Sequence, residues 1–375
     1  MSAVPWANVR EDARRREDES MKGQSSDLGG AGKKMRSLAK IAPGEGNVTL
    51  REVDVPAVSD DSVLVAVKHV GICGSDLHIY HDTHPNHPPV TLGHEFSGVI
   101  ASVGRNVKAW AIGVPVVSEL HAGACGQCRL CKTGNFFACP HKHPIGWWTD
   151  GAYADFITVP AWLLHRVPDG LSLQHATLTE PLAVSMNVFQ RARIEPQSTV
   201  AVIGPGPIGL LAALAAKHSG AGKVIVVGRD SSRHRLELAL QLGLDHTVNS
   251  STQDVEEALQ ELSGGLGADL VIEAGGSEGA VLDALKAVRK LGTIAALGVH
   301  AGDYRFPWNQ AVFKAVDMVF SFSANYLAFE QALKLLRSGS IPIEKVISGH
   351  YPLEEWKEAF QRLERRDALK LVLDI

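Results

Sequence analysis

The chain has 375 residues, of which 45% are hydrophobic, and a formal net charge of −4. This length predicts two domains of ordinary size. The small negative charge argues against a nucleic-acid-binding surface. No apolar run approaches the roughly 20 residues of a membrane span. The first residues, MSAVPWANVREDARRREDES, lack the apolar stretch of a signal peptide, so we expect a cytoplasmic protein with reduced thiols.

The first half of the chain is predicted to be β-rich. Residues 1–34 are polar and rich in Gly and Ser near SSDLGGAGKK, which indicates a flexible N-terminal extension. From 35 to 184, runs such as SVLVAVKHV and GAYADFITVP are separated by Gly and Pro turns, a pattern typical of short strands. We expect these strands to form the first domain.

Two motifs in this half carry possible metal ligands. Cys73 lies in VGICGSDLHIY, and His94 and Glu95 follow in TLGHEFSG. Taken singly, they could be a buried thiol, a turn histidine and a surface acid. Together, a thiolate, an imidazole and a carboxylate form a plausible open zinc site.

Four cysteines are gathered in the stretch 121–141. They follow the spacing C-x2-C-x2-C-x7-C, and nearby glycines allow the backbone to bend; the residues are Cys125, Cys128, Cys131, Cys139, Gly123, Gly126 and Gly134. Four converging thiolates predict a closed, structural zinc site. A pair of disulfides and an iron–sulfur cluster are the alternatives, and the expected reducing compartment disfavours the disulfides.

The second half predicts a nucleotide-binding domain over 185–322, followed by a return of 323–375 to the first domain. Strands such as STVAVIG and KVIVVG alternate with amphipathic helices, which indicates βαβ units on a parallel sheet. Gly204, Gly206 and Gly209 form G-x-G-x-x-G between a predicted strand and a predicted helix. In that context the motif is typical of a dinucleotide fingerprint, with the phosphates at the helix N-terminus.

Residues at the end of the second strand of that domain help to predict whether the cofactor is NAD or NADP. KVIVVG ends with Gly228, where an NAD enzyme usually carries an acidic side chain, and Arg229 and Arg233 follow. Arginines in place of a carboxylate favour a 2′-phosphate and hence, slightly, NADP. Asp230 could still reach the ribose, and the arginines could be ordinary surface charges.

Several motifs in this order resemble the zinc-dependent medium-chain alcohol dehydrogenases, specifically the polyol branch around sorbitol and threonine dehydrogenases. The motifs are GICGSDLH, GHEFSGVIASVG, the four-cysteine lobe, TEPLAVSMNV and GPGPIG, and the resemblance runs over 35–375. It implies an α/β fold in which a GroES-like catalytic domain, split in sequence, surrounds a Rossmann domain. It also implies an active site in the cleft between them and a homodimer or homotetramer.

The resemblance assigns metal-site roles to individual residues. Cys73 and His94 match ligands of the catalytic zinc, and Glu95 matches an acid that ligates or backs the metal. Glu180, in TEPLAV, matches the carboxylate that replaces a cysteine of other alcohol dehydrogenases. Asp76 is expected to be the partner of a zinc-bound histidine.

Three further residues match the proton path and the cofactor site. Ser75 and His78 match the hydroxyl and imidazole that carry the alcohol proton to solvent, although a turn cap and a surface histidine are their ordinary alternatives. Lys370 matches a basic residue that contacts the cofactor pyrophosphate, and a plain exposed lysine is the alternative.

The predicted function is hydride transfer between a secondary alcohol, in a polyol, diol or sugar-derived molecule, and NAD(P)+ at a zinc site. Ile79, Ser321 and Phe322 depart from the residues of sorbitol dehydrogenases, so sorbitol itself is not the expected substrate. Two alternatives remain on the same fold: a zinc-free quinone reductase and a non-catalytic sensor.

Overall fold

The computed structural model of the chain describes residues 32–300 and 302–375. The first strand begins at Lys34, so residues 1–31 of the predicted N-terminal extension lie outside the described residues. Among the described helices, none is both long and apolar enough to cross a bilayer.

The described residues form strands and helices in the following order. The strands are β1 (Lys34–Lys40), β2 (Val48–Asp54), β3 (Ser62–Gly71), β4 (Val90–Thr91), β5 (Glu95–Val103), β6 (Pro115–Ser118), β7 (Phe156–Pro160), β8 (Leu164–Arg166), β9 (Thr199–Ile203), β10 (Lys223–Gly228), β11 (His246–Asn249), β12 (Ala268–Glu273), β13 (Val288–Ala296), β14 (Asp317–Phe320), β15 (Ile347–Pro352) and β16 (Lys370–Asp374). The α-helices are α1 (Gly74–Tyr80), α2 (Arg129–Lys132), α3 (Leu173–Ala176), α4 (Thr179–Asn187), α5 (Pro207–His218), α6 (Arg233–Gln241), α7 (Val255–Leu262), α8 (Glu278–Ala287), α9 (Trp308–Lys314), α10 (Tyr326–Arg337), α11 (Ile343–Val346) and α12 (Trp356–Glu364).

The β-rich part is built on a seven-stranded sheet in which β3 is central. Its path is β15-β16-β3-β5-β6-β8, with β7 also paired to β3, and a smaller sheet has the order β2-β1-β4. Val63, Val65 and Val67 of β3 are buried in one hydrophobic core, as expected for β-branched side chains at alternate positions of a strand. The last strand of the chain, β16, pairs antiparallel with β3, so the C-terminus closes this sheet.

The nucleotide-binding part is a six-stranded parallel sheet. Its order is β11-β10-β9-β12-β13-β14, and every pairing in it is parallel. Counted within this sheet, that is the 3-2-1-4-5-6 order of a Rossmann fold. The central runs TVAVI and KVIVVG are nearly all buried because helices cover both faces. The predicted α/β class, with a β-rich unit and a doubly wound parallel sheet, is confirmed.

Helix α4 connects the two parts. It packs against α5, the first helix of the nucleotide-binding sheet, and against α10. The Ser185 hydroxyl donates to the main-chain carbonyl of Ile208 at 3.1 Å. The predicted limit between residues 184 and 185 falls inside this helix. Since Glu180 lies in its first turn, α4 holds that residue at a fixed distance from the start of α5.

Candidate active site and metal centres

The first ligand group forms where β3 and β5 lie side by side. Gly71, at the end of β3, is directly opposite Glu95, at the start of β5. Cys73 is the N-cap of α1, two residues beyond Gly71, and His94 immediately precedes β5. One ligand atom each of Cys73, His94 and Glu95 lies within 4.8 Å of the other two, so the structure brings these three predicted residues together.

Asp76 is hydrogen-bonded in a way that orients this group. Its Oδ2 accepts from the main-chain N–H of Cys73 at 2.9 Å and from the Tyr153 hydroxyl at 2.8 Å. Its Oδ1 lies 3.6 Å from Nδ1 of His94, and neither of these two buried atoms has a hydrogen-bond partner in the described structure. Burial opposes the charged form of His94, but attraction to Asp76 outweighs it and raises the His94 pKa well above its ordinary value.

Glu95 is paired with a lysine from the last strand. Both of its carboxylate oxygens accept from Nζ of Lys370, at 2.6 and 2.7 Å, and the same ammonium donates to the Ile72 carbonyl at 3.0 Å. Both side chains are buried. A Cβ on Gly71 would overlap Oε2 of Glu95, so glycine is needed at that position.

This pairing contradicts one of the two predictions made for Lys370, that of an exposed side chain. The ammonium is 2% exposed, because Glu95 and the Ile72 carbonyl replace its hydration. Its contact with the cofactor pyrophosphate stays a prediction. Attraction to Glu95 outweighs burial and raises the Lys370 pKa.

Glu180 lies near this group but outside its 4.8 Å cluster. The pKa of its carboxyl is raised to about 7, mainly by burial; His94 and Lys370 act to lower it, and Glu95 and Asp76 to raise it. A thiol, an imidazole and two carboxyls are ligands of the type that zinc accepts. A histidine that binds a metal donates its other ring N–H to a partner such as a carboxylate, and Nδ1 of His94 lies 3.6 Å from Asp76 Oδ1, where a small movement would form that bond. The residues therefore fit a zinc ion.

Ser75 and His78 lie on one face of α1, because they are three residues apart in a helix. The Ser75 hydroxyl oxygen is buried without a hydrogen-bond partner in the described structure. His78 is exposed, with Nδ1 3.2 Å from the Thr83 hydroxyl. The helix thus joins a buried hydroxyl to an imidazole in contact with solvent.

The structure adds two aromatic residues that the sequence analysis did not select. Tyr153 is fully buried and donates to Asp76, and the rings of Trp147 and His94 are nearly perpendicular, with centroids 5.1 Å apart. Neither residue lies in a recognisable motif. Of the positions that depart from sorbitol dehydrogenases, Ile79 is fully buried in the core, whereas Phe322 is 60% exposed.

The glycine turn has the geometry of a dinucleotide fingerprint. Gly204 has φ of +102°, and a Cβ there would lie 2.8 Å from Gly275. Gly206, the N-cap of α5, has nothing within 4 Å of such a carbon, whereas a Cβ on Gly209 would overlap the Gly204 carbonyl oxygen. These are the tight turn, the open approach for a pyrophosphate and the close helix–strand packing that the motif requires.

The end of β10 is crowded around Gly228. A Cβ on Gly228 would lie 2.9 Å from Pro205 Cγ and 3.0 Å from Leu236 Cδ2. The Arg229 guanidinium lies over Gly279, where an added Cβ would overlap it. Arg233 is exposed and 3.6 Å from Glu237, and Asp230 Oδ1 accepts from the Asn249 amide at 2.5 Å.

The four-cysteine loop brings its sulfurs together. The Sγ–Sγ distances are 3.5, 3.7, 4.0 and 4.0 Å among Cys125, Cys128, Cys131 and Cys139. A tetrahedral ion with bonds of about 2.3 Å separates its sulfurs by roughly 3.8 Å. All four cysteines are free, and their sulfurs are too far apart for the roughly 2 Å bond of the alternative disulfides. Main-chain N–H groups of Cys128 and Gln127 lower the Cys125 pKa to about 6.

The glycines of this loop adopt the predicted conformation. Gly123, Gly126 and Gly134 have φ of +72°, +67° and +77°, a region that other residues rarely enter. The loop therefore bends where the sequence places its glycines.

Comparisons with known proteins agree with both parts of the fold. The family "Alcohol dehydrogenase GroES-like domain" matches residues 59–169, and the family "Zinc-binding dehydrogenase" matches residues 207–338. A sorbitol dehydrogenase from Halalkalibacterium halodurans is 34% identical over 90% of this chain and 99% of its own. A D-arabitol-phosphate dehydrogenase from Enterococcus avium is 35% identical over 91% of this chain and 98% of its own.

Among solved structures, a zinc-binding dehydrogenase from Sinorhizobium meliloti 1021 bound to NADP is similar. It has a TM-score of 0.85 and 30% identity, and the match covers 92% of this chain and 100% of that one. Both halves of the chain, its curated relatives and its ligand groups therefore lead to one conclusion: the chain belongs to the zinc-dependent medium-chain alcohol dehydrogenases, in their polyol branch, and is an NAD(P)-dependent oxidoreductase that acts on CH–OH groups.

Proposed function

We propose that the chain oxidises a secondary hydroxyl of a polyol, diol or sugar-derived substrate with NADP+, at a zinc ion held by Cys73 and His94. The observation that carries this proposal is the convergence of Cys73, His94 and Glu95 within 4.8 Å. Glu180, near this group, lies on α4, and α4 is hydrogen-bonded to the helix that begins at the glycine turn. Hydride transfer requires the metal-bound alcohol and the nicotinamide to lie close together.

Cys73 and His94 would hold the catalytic zinc, with Glu95 and Glu180 supplying carboxylates. When bound, the zinc acts as a Lewis acid that makes the alcohol hydroxyl more acidic. Asp76 orients His94, and Tyr153 and the Cys73 N–H hold Asp76. Because Lys370 already occupies both oxygens of Glu95, we assign Glu95 mainly to backing the site and Glu180 to completing it.

The chain's own proton path begins at Ser75. We assign the buried Ser75 hydroxyl to accept the alcohol proton and the exposed His78 imidazole to pass it to solvent. The unpartnered state of the Ser75 oxygen supports the first step, because a buried hydroxyl without a partner is available to a substrate. The position of His78 one turn further on supports the second.

For the cofactor, Gly204, Gly206 and Gly209 would receive the pyrophosphate at the start of α5. The preference for NADP is supported by the crowding around Gly228, which disfavours a side chain at the position where an NAD enzyme usually carries a carboxylate. Arg229 and Arg233 stand beside that strand end and would pair with a 2′-phosphate. The NADP-bound relative is consistent with this assignment.

A second zinc ion would be structural. Cys125, Cys128, Cys131 and Cys139 offer four sulfurs at the spacing of a single tetrahedral ion. A site with four protein ligands has no open position for a substrate. We therefore propose two zinc ions of different roles per chain.

We also propose the predicted domain bounds, a cytoplasmic location and a homodimer or homotetramer. An apolar surface at the edge of the parallel sheet supports the assembly: Trp308, Phe313 and Phe320 are 69%, 79% and 60% exposed. Such a surface at an edge strand is expected to be covered in a stable protein.

One assay tests the function. Zinc per chain is measured together with the reduction of NADP+ and of NAD+ across a panel of polyols, polyol phosphates and diols. The proposal expects zinc-dependent reduction of NADP+ by at least one of these alcohols. Turnover of quinones without zinc would support the quinone-reductase alternative, and zinc-replete protein inert with every alcohol would support the sensor.

A further inference from the structure

Three potential metal ligands lie together on the seven-stranded sheet, apart from both zinc groups. His350 is on β15, Asp374 on β16 and His69 on β3, three neighbouring strands. Asp374 is directly opposite His69, and it is paired with Pro352, two residues beyond His350. Since alternate residues of a strand point to the same side, all three side chains share one face of the sheet.

Their donor atoms are close enough to bind one ion. Oδ1 of Asp374 lies 2.7 Å from Nδ1 of His69 and 3.1 Å from Nδ1 of His350. One ligand atom from each residue lies within 4.8 Å of the other two. Metal–nitrogen bonds of about 2.0–2.1 Å separate neighbouring ligand atoms by roughly 3 Å, so an ion requires little movement of these side chains.

The surroundings hold one histidine in place and leave the site open to solvent. The side-chain Nε2 of Gln174, on α3, lies 2.6 Å from Nε2 of His350 and donates to it. Nδ1 of His350 then carries the ring proton that Asp374 accepts, and an ion that binds there displaces this proton. Both histidine side chains are 27% exposed and Asp374 is 44% exposed, so an ion and its water ligands can reach the site.

We propose that His69, His350 and Asp374 form a third metal site, which takes a divalent first-row transition ion that prefers imidazole, such as zinc. Two imidazoles and one carboxylate on one side of an ion leave the other side to water. The ion would clamp β15 and β16 to β3. Strand β3 leads to Cys73, and β16 carries Lys370. An ion that links these strands would therefore stiffen the framework of the candidate active site without touching the substrate.

Zinc uptake by the full-length protein tests this site. Protein that retains its tightly held zinc is equilibrated with added zinc, and bound metal is counted by mass spectrometry for wild type and H69Q/H350Q. The matched control is H175Q/H234Q, which also removes two histidines but lies outside the cluster. The expected result is one more zinc ion per chain in the wild type and the control than in H69Q/H350Q.

Equal uptake by wild type and H69Q/H350Q would overturn the proposal, because the three side chains would then form only a hydrogen-bonded network. D374N provides a second comparison that keeps both histidine rings. We expect this substitution to lower the affinity for the added zinc ion by roughly tenfold or more. Added zinc should also raise Tm of the wild type and not that of H69Q/H350Q, since only a bound ion stabilises the folded state. These readouts do not depend on dehydrogenase activity, so the outcome is independent of the proposed function.

Discussion

The ammonium of Lys370 donates to both carboxylate oxygens of Glu95 in the buried interior beside Cys73 and His94. The two residues are 275 positions apart in the sequence and meet because β16 and β5 both pair with β3. A carboxylate in this position would otherwise carry an uncompensated charge. The pair therefore gives Glu95 a cationic partner beside the proposed zinc.

Replacing Lys370 with Met should strongly destabilise the protein. The substitution leaves Glu95 buried without its cation, a change that costs about 3–5 kcal/mol in buried pairs. Denaturant unfolding measures the loss. The control is Lys34→Met, because the Lys34–Asp54 pair has a similar contact distance of 2.8 Å but side chains 56% and 69% exposed, and its loss should change little. Similar effects of the two variants would contradict the assignment of a buried ion pair.

Replacing Tyr153 with Phe should loosen the zinc without disturbing the core. The ring still fills the space beside Gly93, but Asp76 loses one of its two hydrogen-bond donors to Oδ2. We expect a loss of roughly 1–2 kcal/mol in stability and a fall of up to about tenfold in zinc affinity. Competition with a chelator measures the affinity.

The control for Tyr153 is Thr91→Val, which removes another buried hydroxyl of the β-rich part, one that contacts Ser37 at 2.9 Å. This variant should lower Tm and leave zinc retention unchanged. If Tyr153→Phe holds zinc as tightly as the wild type, Tyr153 has no part in orienting the metal ligands.

Two glycines of the nucleotide turn should respond in opposite ways to alanine. Gly206→Ala adds a carbon into open space, so folding should be unchanged while the KM for NADP+ rises about tenfold, because the pyrophosphate loses its approach. Gly209→Ala forces a carbon against the Gly204 carbonyl and should cost about 1–3 kcal/mol. Thermal melting and cofactor kinetics on both variants separate the effects, and a destabilised Gly206→Ala with normal KM would reverse the roles.

His121 should make stability depend on pH. It is buried, donates from Nε2 to the Ala324 carbonyl at 2.8 Å, and burial lowers its pKa from 6.5 to about 4. Below pH 6.5, His121 binds a proton in the unfolded chain, whereas in the folded chain it does so only near pH 4. Stability therefore falls as pH drops through this window, by at most ~3 kcal/mol.

His121→Gln keeps a donor for Ala324 but does not titrate. Its Tm should fall less steeply than that of the wild type between pH 6.5 and 4, as measured by calorimetry. The exposed His234→Gln serves as the control and should follow the wild-type curve. Parallel curves for His121→Gln and wild type would show that His121 protonates equally in the folded and unfolded chain.

The sequence predicted those parts of the fold and site that rest on local patterns. Alternating strands and helices indicated the parallel sheet. The ligand motifs lie in turns whose glycines or caps are visible in the sequence: GICGSDLH, GHEFSG and the four-cysteine loop. The pairing of Lys370 with Glu95 was not predictable in this way, because it depends on the register of β16 against β3. Tyr153 and the cluster of His69, His350 and Asp374 were missed for the same reason: their partners are distant in sequence and they belong to no motif.

The most direct test of the central claim is a zinc-edge anomalous difference map from crystals of the zinc-loaded protein with NADP+ bound. The account predicts a peak bonded to Cys73 and His94, beside the nicotinamide of a cofactor whose pyrophosphate lies on Gly206. A map with zinc at the four cysteines but none at Cys73 and His94, in protein that still oxidises its alcohol, would contradict it.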